Sequence, residues 1–238
     1  MAGLRVARDW KLYAEFLSPA YQQHNIARLQ HLESLGLDLD RKSVLELGAG
    51  IGDHTVFYLH RNCSVLPVDG RPECVRMLKQ RLGVEARVMD LDQQPQEIQK
   101  LGMFDVVHCY GLLYHLANPQ KFLLEVSKVG GMLLLETGVS IGDGIQVQSV
   151  NEAAGVPSQA LHGKGCRPTR EWVFETLKLY YPFVYATRTQ PKQREFPIDW
   201  TSADMPKQGL KRSVFIASHS SVASPQLLDY LPMKHDAW

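Results

Sequence analysis

Between residues 43 and 135, five short apolar runs alternate with helical patterns, and this order constrains the fold more than any other feature. The runs are 43–47 (SVLEL), 64–68 (SVLPV), 86–89, 104–108 (FDVVH) and 132–135 (MLLL). Helical patterns cover 53–59, 73–82, 93–101 and 121–129. The runs do not alternate polar with apolar, so they are buried on both faces, and β-α-β order then implies a parallel sheet covered by helices. Right-handed crossovers bring every strand's carboxyl end to one edge, where ligands bind. The expected architecture is α/β, a doubly wound, mostly parallel sheet.

The flanks elaborate this core. Trp10, Tyr13, Phe16 and Leu17, then Ile26, Leu29, Leu32 and Leu35, fall at helical spacing on either side of Ser18-Pro19. They predict two N-terminal helices within 1–42, the second stopping at Gly36. After the cofactor-binding core at 43–136, residues 137–168 are rich in Gly, Ser and Gln without a strand period. A helix is expected over 169–180, N-capped by Thr169. Two closing strands are expected at 183–186 and 213–217, with a long loop between them. The reading is one domain: 137–210 forms an acceptor-side lid with loops and a helix, and 211–238 the last strand and tail.

Composition narrows the class. The formal net charge is +1, which advertises neither nucleic acid nor a membrane surface. No run approaches the roughly 20 apolar residues of a spanning helix, and the charged N-terminus does not read as a secretory signal. Cys63, Cys74, Cys109 and Cys166 show no paired spacing and no Cys/His cluster. They read as reduced thiols of a cytoplasmic protein, with no metal site.

The chemistry concentrates at the strand ends. VLELGAGIGDHT (44–55) turns from strand to helix through Gly48, Ala49, Gly50 and Gly52. Glycine keeps such a turn open to a ligand and admits positive φ. A dinucleotide fingerprint would need a glycine at position 53, where the chain has Asp53. Asp69, followed by Gly70, lies where a carboxylate accepts hydrogen bonds from both hydroxyls of a ribose. Asp90, in VMDLD, suits an exocyclic adenine amine, with the Leu91 amide for a ring nitrogen. Strand four then delivers Cys109, Tyr110 and Gly111, followed by Tyr114 and His115 in GLLYHLANP.

Together these elements resemble the class I S-adenosylmethionine-dependent methyltransferases over roughly residues 44–136. The resemblance implies a seven-stranded sheet with an antiparallel last strand. It implies that Glu46, Gly48, Gly50 and Gly52 line the methionine portion of S-adenosylmethionine. Asp69 then takes the ribose, Asp90 and Leu91 the adenine, and Cys109 and Tyr110 the sulfonium. More narrowly, GLLYHLANP, LLLETGVSIGDG and RPTREWVFETL are similar to the tRNA wobble-uridine carboxymethyltransferase group. That group reads Tyr-His-Arg where this chain has Tyr114-His115-Leu116, and it uses arginines to hold a carboxylated donor. Loss of one favours ordinary S-adenosylmethionine.

Methyl transfer needs alignment, and a base only where the acceptor must lose a proton. The candidates are His115 as base, Tyr114 to orient the acceptor, and Glu136 to position a hydroxyl or amine. His108, inside strand four, reads as a core histidine with its hydrogen bonds satisfied. Lys164, Arg167 and Arg170 in LHGKGCRPTR form a candidate cationic clamp for an anionic acceptor, and Cys166 among them a candidate low-pKa thiol. The expected acceptor is a small molecule. RNA stays open on the narrower resemblance alone, and a nicotinamide-dependent oxidoreductase or a non-catalytic cofactor-binding protein are the rivals. Oligomeric state is not legible.

Overall fold

The structure is a computed structural model that describes residues 12, 14–202 and 209–238. The expected helical positions Trp10 and Tyr13 lie outside the described residues. Residues 14–16 are helical, and the helix after them, α1 (Pro19–Ser34), starts where Ser18 caps it: the Ser18 hydroxyl accepts from the Tyr21 amide at 3.3 Å, and Pro19 pre-sets the first turn. Gly36, at φ 63°, follows its end.

Alternation of strand and helix then proceeds as the apolar runs dictate: β1 (Ser43–Leu47), α2 (Thr55–Leu59), β2 (Ser64–Asp69), α3 (Pro72–Leu82), β3 (Arg87–Val88) and β4 (Phe104–Tyr110). Next come α4 (Pro119–Ser127) and β5 (Gly130–Val139). The pattern at 93–101 closes as a 3-10 helix, Pro95–Leu101, and Leu113–His115 forms another short 3-10 turn. Residues 137–168, which lack a strand period, nevertheless form a hairpin of β6 (Val147–Asn151) and β7 (Lys164–Pro168). The chain ends with α5 (Arg170–Lys178), β8 (Phe183–Thr187), β9 (Lys211–Ser218) and β10 (Leu227–Leu228).

The main sheet has the order β10-β8-β9-β5-β4-β1-β2-β3. Strands β1 to β5 are mutually parallel, and β9 runs antiparallel to β5. There are eight strands where seven are expected, because Leu227–Leu228 adds a short edge to β8. Successive residues of a strand face opposite layers. Leu45, Val107, Leu133, Leu135 and Phe215 pack with Phe122 of α4 and Val173, Phe174 and Leu177 of α5. Val44, Val106, Leu134, Val214 and Ile216 face the other layer with Leu32 of α1 and Tyr58 of α2.

That parity has a chemical consequence at the ligand edge. On β1, β4, β5 and β9, the residues Glu46, His108, Tyr110, Glu136 and Arg212 share the parity of the α1–α2 layer, and all are buried. Register brings Glu46 beside His108 and Tyr110 beside Glu136. The buried stripe of α1 is correspondingly mostly polar: His24, Asn25, Arg28 and His31, beside Ala27 and Leu32. A helix docked by apolar burial alone would carry leucines there.

Candidate active site

A cleft of about 470 Å³ opens at the carboxyl ends of β1, β2, β3 and β4, within the size range of small-ligand sites. Its floor is the glycine turn. Gly48 and Gly50 adopt φ 74° and 55°, and a Cβ on Gly48 would stand 3.0 Å from Leu112. Gly52 serves a different purpose. A Cβ there would meet Leu82 at 2.7 Å and Leu78 at 2.9 Å, so it permits close packing of α3 and does not line the cleft. Ala49 likewise packs with Val75 and Leu78.

Asp69 lines the cleft, and its carboxylate accepts from the Gly50 amide at 2.9 Å and the Arg71 amide at 2.8 Å. Burial raises its pKa, while those two amides oppose the rise. Asp90 accepts from the Asp92 and Gln93 amides on one oxygen and meets His162 Nε2 at 2.7 Å on the other. Partial burial pulls Asp90 upward, but the Gln93 amide and His162 hold it below the usual range. Gly70 and Leu91 also line the cleft.

Glu46 is buried behind the turn, where it accepts from the Thr55 hydroxyl at 2.6 Å. Burial pushes its pKa up to about 8. It borders a small recess beneath the glycines. Tyr110 lines both cleft and recess, and among the described residues its buried hydroxyl has no hydrogen-bond partner. Cys109 has the opposite parity and lies fully buried in the α4–α5 layer, away from the cleft.

His115 and Tyr114 also line the cleft. His115 Nδ1 lies 2.5 Å from Glu152 Oε2. Arg167 donates from Nη1 and Nη2 to Glu152 Oε1, both at 3.1 Å, and the Ala160 amide donates to Oε2 at 2.8 Å. Burial lowers the His115 pKa, with Glu152 partly opposing. Burial alone would raise Glu152, but His115, the Ala160 amide and Arg167 hold it down to about 2. Glu152 is therefore an anion at neutral pH, and His115 a neutral imidazole whose Nδ1–H donates to it.

Glu136 is fully buried between two guanidinium groups, Arg28 Nη2 at 2.5 Å and Arg212 Nη1 at 3.0 Å. Both oxygens are engaged by arginines and the side chain does not line the cleft, so it anchors those arginines. Arg212 also donates to the Tyr114 hydroxyl at 2.8 Å and to Glu195 at 2.6 Å. Tyr114 is thus held from its hydroxyl end, with the Arg212 guanidinium 4.8 Å from its ring centre.

The three expected substrate cations are not brought together. Lys164 is exposed on β7, and Arg167 spends its guanidinium on Glu152 and the Tyr114 and Cys166 carbonyls. Arg170 is buried against the Pro232 carbonyl and the Trp200 ring. None of them lines the cleft. Cys166 is buried as well, which pushes its thiol up to about 12 against the pull of Arg167. His108 is satisfied on both ring nitrogens: Nδ1 is 2.8 Å from the Tyr58 hydroxyl, Nε2 3.0 Å from His54 Nδ1. Among the described residues no group of three or more His, Cys, Asp or Glu suits a metal, and no helix is long and apolar enough to cross a membrane.

Sequence reasoning missed Arg28, Glu152, His162 and Arg212. The polar spacing His24, Arg28, His31 on α1 was a usable signal; Glu152 and His162, in a Gly/Ala-rich loop, gave none.

Comparison with known proteins bears on the family and the fold. At 31% identity over 112 residues, the chain matches a tRNA U34 carboxymethyltransferase of Shewanella halifaxensis, covering 44% of this chain and 34% of that protein. The Vibrio cholerae counterpart is 34% identical over 115 residues, 44% and 35% of the two chains. The matches thus span about a third of the length of these curated relatives. Among solved structures, the N-terminal domain of EvdMO1, crystallised in the presence of SAH and D-fucose, superposes with TM-score 0.64 at 23% identity over 84% of each chain. The Burkholderia thailandensis 1,6-didemethyltoxoflavin-N1-methyltransferase, with bound 1,6-didemethyltoxoflavin and S-adenosylhomocysteine, gives 0.53 at 20% identity, over 92% and 88%. At such identities the likeness is one of fold. A family model described as a methyltransferase domain matches residues 13–174, well over half of the sequence, and the chain belongs to that methyltransferase family.

Proposed function

We propose that the protein transfers a methyl group from S-adenosylmethionine to an oxygen or nitrogen of a small polar acceptor held in the cleft. The whole chain reads as one domain devoted to that reaction. The residues present fit the donor: open glycines at Gly48 and Gly50, a carboxylate at Asp69 for the ribose, and Asp90 with Leu91 for the adenine. When bound, the donor supplies an activated methyl for in-line displacement, so alignment carries much of the rate.

The observation that carries the reading of the acceptor is the His115–Glu152 pair. With Nδ1–H committed to Glu152, Nε2 bears the lone pair, and among the described residues it has no hydrogen-bond partner. His115 lines the cleft and can take a proton from an attacking hydroxyl, or from the nitrogen of an attacking neutral amine, as the bond to the methyl carbon forms. An acceptor that gives up no proton would have no use for this arrangement. A small acceptor is favoured because α1, loop 152–163 and residues 193–195 enclose the cleft. Of the arginines lining it, Arg28 and Arg212 are paired with Glu136 and Arg71 is spent on loop carbonyls, which weakens the case for a phosphate backbone as acceptor.

The test is calorimetric titration with S-adenosylmethionine, S-adenosylhomocysteine, the carboxylated donor and NAD in parallel. It is followed by transfer of labelled methyl to panels of small alcohols and amines and to bulk tRNA. Micromolar binding of the first two, with His115→Ala losing turnover but not donor affinity, is expected. NAD binding alone would overturn the reading. Preference for the carboxylated donor with label in tRNA would transfer it to the chemistry of the partially matching relatives.

A further inference from the structure

The loop joining β6 to β7, residues 152–163, arches over the cleft and is latched to the positions assigned above to the donor's nucleoside. Arg71 Nη2 donates to three of its carbonyls, Ala154 at 3.0 Å, Val156 at 3.1 Å and Gln159 at 3.0 Å. The Arg71 amide is meanwhile bound to Asp69. Leu161 lies over Gly70: a Cβ on Gly70 would stand 3.0 Å from Leu161 Cδ2. His162 Nε2 is 2.7 Å from Asp90 Oδ2, and Ser158 contacts Glu15 on the N-terminal side of the cleft. Pro157, Ser158, Gln159 and Leu161 line the cleft itself.

We infer that loop 152–163 is a nucleoside clamp in which Arg71, Leu161 and His162 hold the ribose and adenine of the methyl donor. The inference rests on the donor reading above. The rotamer of Asp90 is fixed from two sides, by backbone amides at Oδ1 and by His162 at Oδ2. Oδ2 keeps a second lone pair for an exocyclic amine. His162 is therefore a positioning residue for adenine recognition, and Leu161 supplies an apolar cover above Gly70. Arg71 is the hinge clasp. With the clamp open, the nucleoside loses its roof, and the Ala160 amide is withdrawn from the Glu152 oxygen that faces His115. Donor capture and alignment of the base then become one movement.

This differs from the role suggested by the basic run beside it. Lys164, Arg167 and Arg170 promised an acceptor clamp, yet the segment closes over the donor end, and it does so through backbone carbonyls, a leucine and a histidine.

The test uses S-adenosylhomocysteine as probe, with calorimetry and hydrogen exchange of the full chain. In the wild type, amides of peptide 152–163 should gain protection on addition of the probe. His162→Ala and Arg71→Ala should each weaken probe affinity about tenfold, the scale of one lost hydrogen bond to a charged group. Arg71→Ala should also abolish the added protection, and His162→Gln, which keeps a donor, should recover part of the affinity. His162 is a partly exposed loop residue, so its replacement does not threaten the fold. If the wild type binds the probe but peptide 152–163 exchanges alike with and without it, and both variants bind normally, the clamp is refuted and the donor reading survives. If the wild type binds neither S-adenosylhomocysteine nor S-adenosylmethionine, both fall together.

Discussion

Replacing Glu136 by Gln tests whether the polar layer beneath the cleft holds α1 to the sheet. The carboxylate is fully buried and shared by Arg28 and Arg212, which Glu195 also neutralises from the other side. Two cations thus face two anions, and Glu136→Gln leaves one buried positive charge without its counterion. Removing one partner of a buried ion pair costs about 3–5 kcal/mol. The amide keeps the volume and one acceptor oxygen, so about 3 kcal/mol is expected. With a urea dependence near the upper end of about 1–3 kcal/mol per molar, the unfolding midpoint should fall by roughly 1 M. A second variant sharpens the argument. Glu136→Gln combined with Arg28→Met restores charge balance, because Arg212 retains Glu195, and most of the midpoint should return. A single-variant shift below about 0.2 M, or a double variant less stable than the single, would refute the account of this layer.

Asp69→Ala should weaken S-adenosylhomocysteine binding about a hundredfold by calorimetry, the loss of two charge-assisted hydrogen bonds to ribose hydroxyls, with an unchanged circular dichroism spectrum; unaltered affinity would remove the ribose assignment. Glu152→Gln should lower turnover and move the acid limb of the rate profile to lower pH, because the Glu152 anion is what raises the buried His115 against its desolvation; a limb that stays in place would separate His115 from Glu152. Stability should fall on acidification below about pH 6.5: burial lowers His24 to about 2, His108 to about 3 and His31 and His235 to about 4, with Arg28 and Arg170 adding to the effect at His24, His108 and His235. The unfolded chain takes up protons first, so each such histidine removes up to about 1.4 kcal/mol per pH unit between 6.5 and its folded value. A urea midpoint that is flat from pH 7 to 5 would contradict this.

The parts that could be read from the sequence are the parts encoded locally. β1, β2, β4 and β5 are apolar runs without alternation, and burial on both faces is a property each segment carries by itself. The glycine turn, Asp69 and Asp90 lie directly on strand ends, so finding the strands finds them. Parity was also available: Cys109, one residue before Tyr110 on a strand covered on both faces, had to face the opposite layer. β6 and β7 escaped notice because a hairpin outside the main sheet has no continuous apolar face, and Val147–Asn151 is almost wholly exposed.

The acceptor side is different in kind, because its chemistry is made by pairs remote in sequence. Arg28 and Glu136 are 108 residues apart, Arg212 and Tyr114 98, and neither residue of such a pair reveals which partner the fold will deliver. Glu136 on its own looks like a free carboxylate at the binding edge, and Arg167 and Arg170 look like free cations. The fold pairs Glu136 with two arginines and Arg167 with Glu152, and it buries Arg170 against a carbonyl and a tryptophan ring, which reverses the meaning of all three. What it leaves with an uncommitted reactive atom is His115, whose ring is oriented by a glutamate from a nondescript loop. A buried charge costs too much to leave unpaired. The paired charges of Arg28, Arg212, Glu136 and Glu152 are therefore scaffolding for the neutral side chains beside them, and an acceptor should be sought that suits an imidazole base and a tyrosine ring before one that suits an arginine clamp.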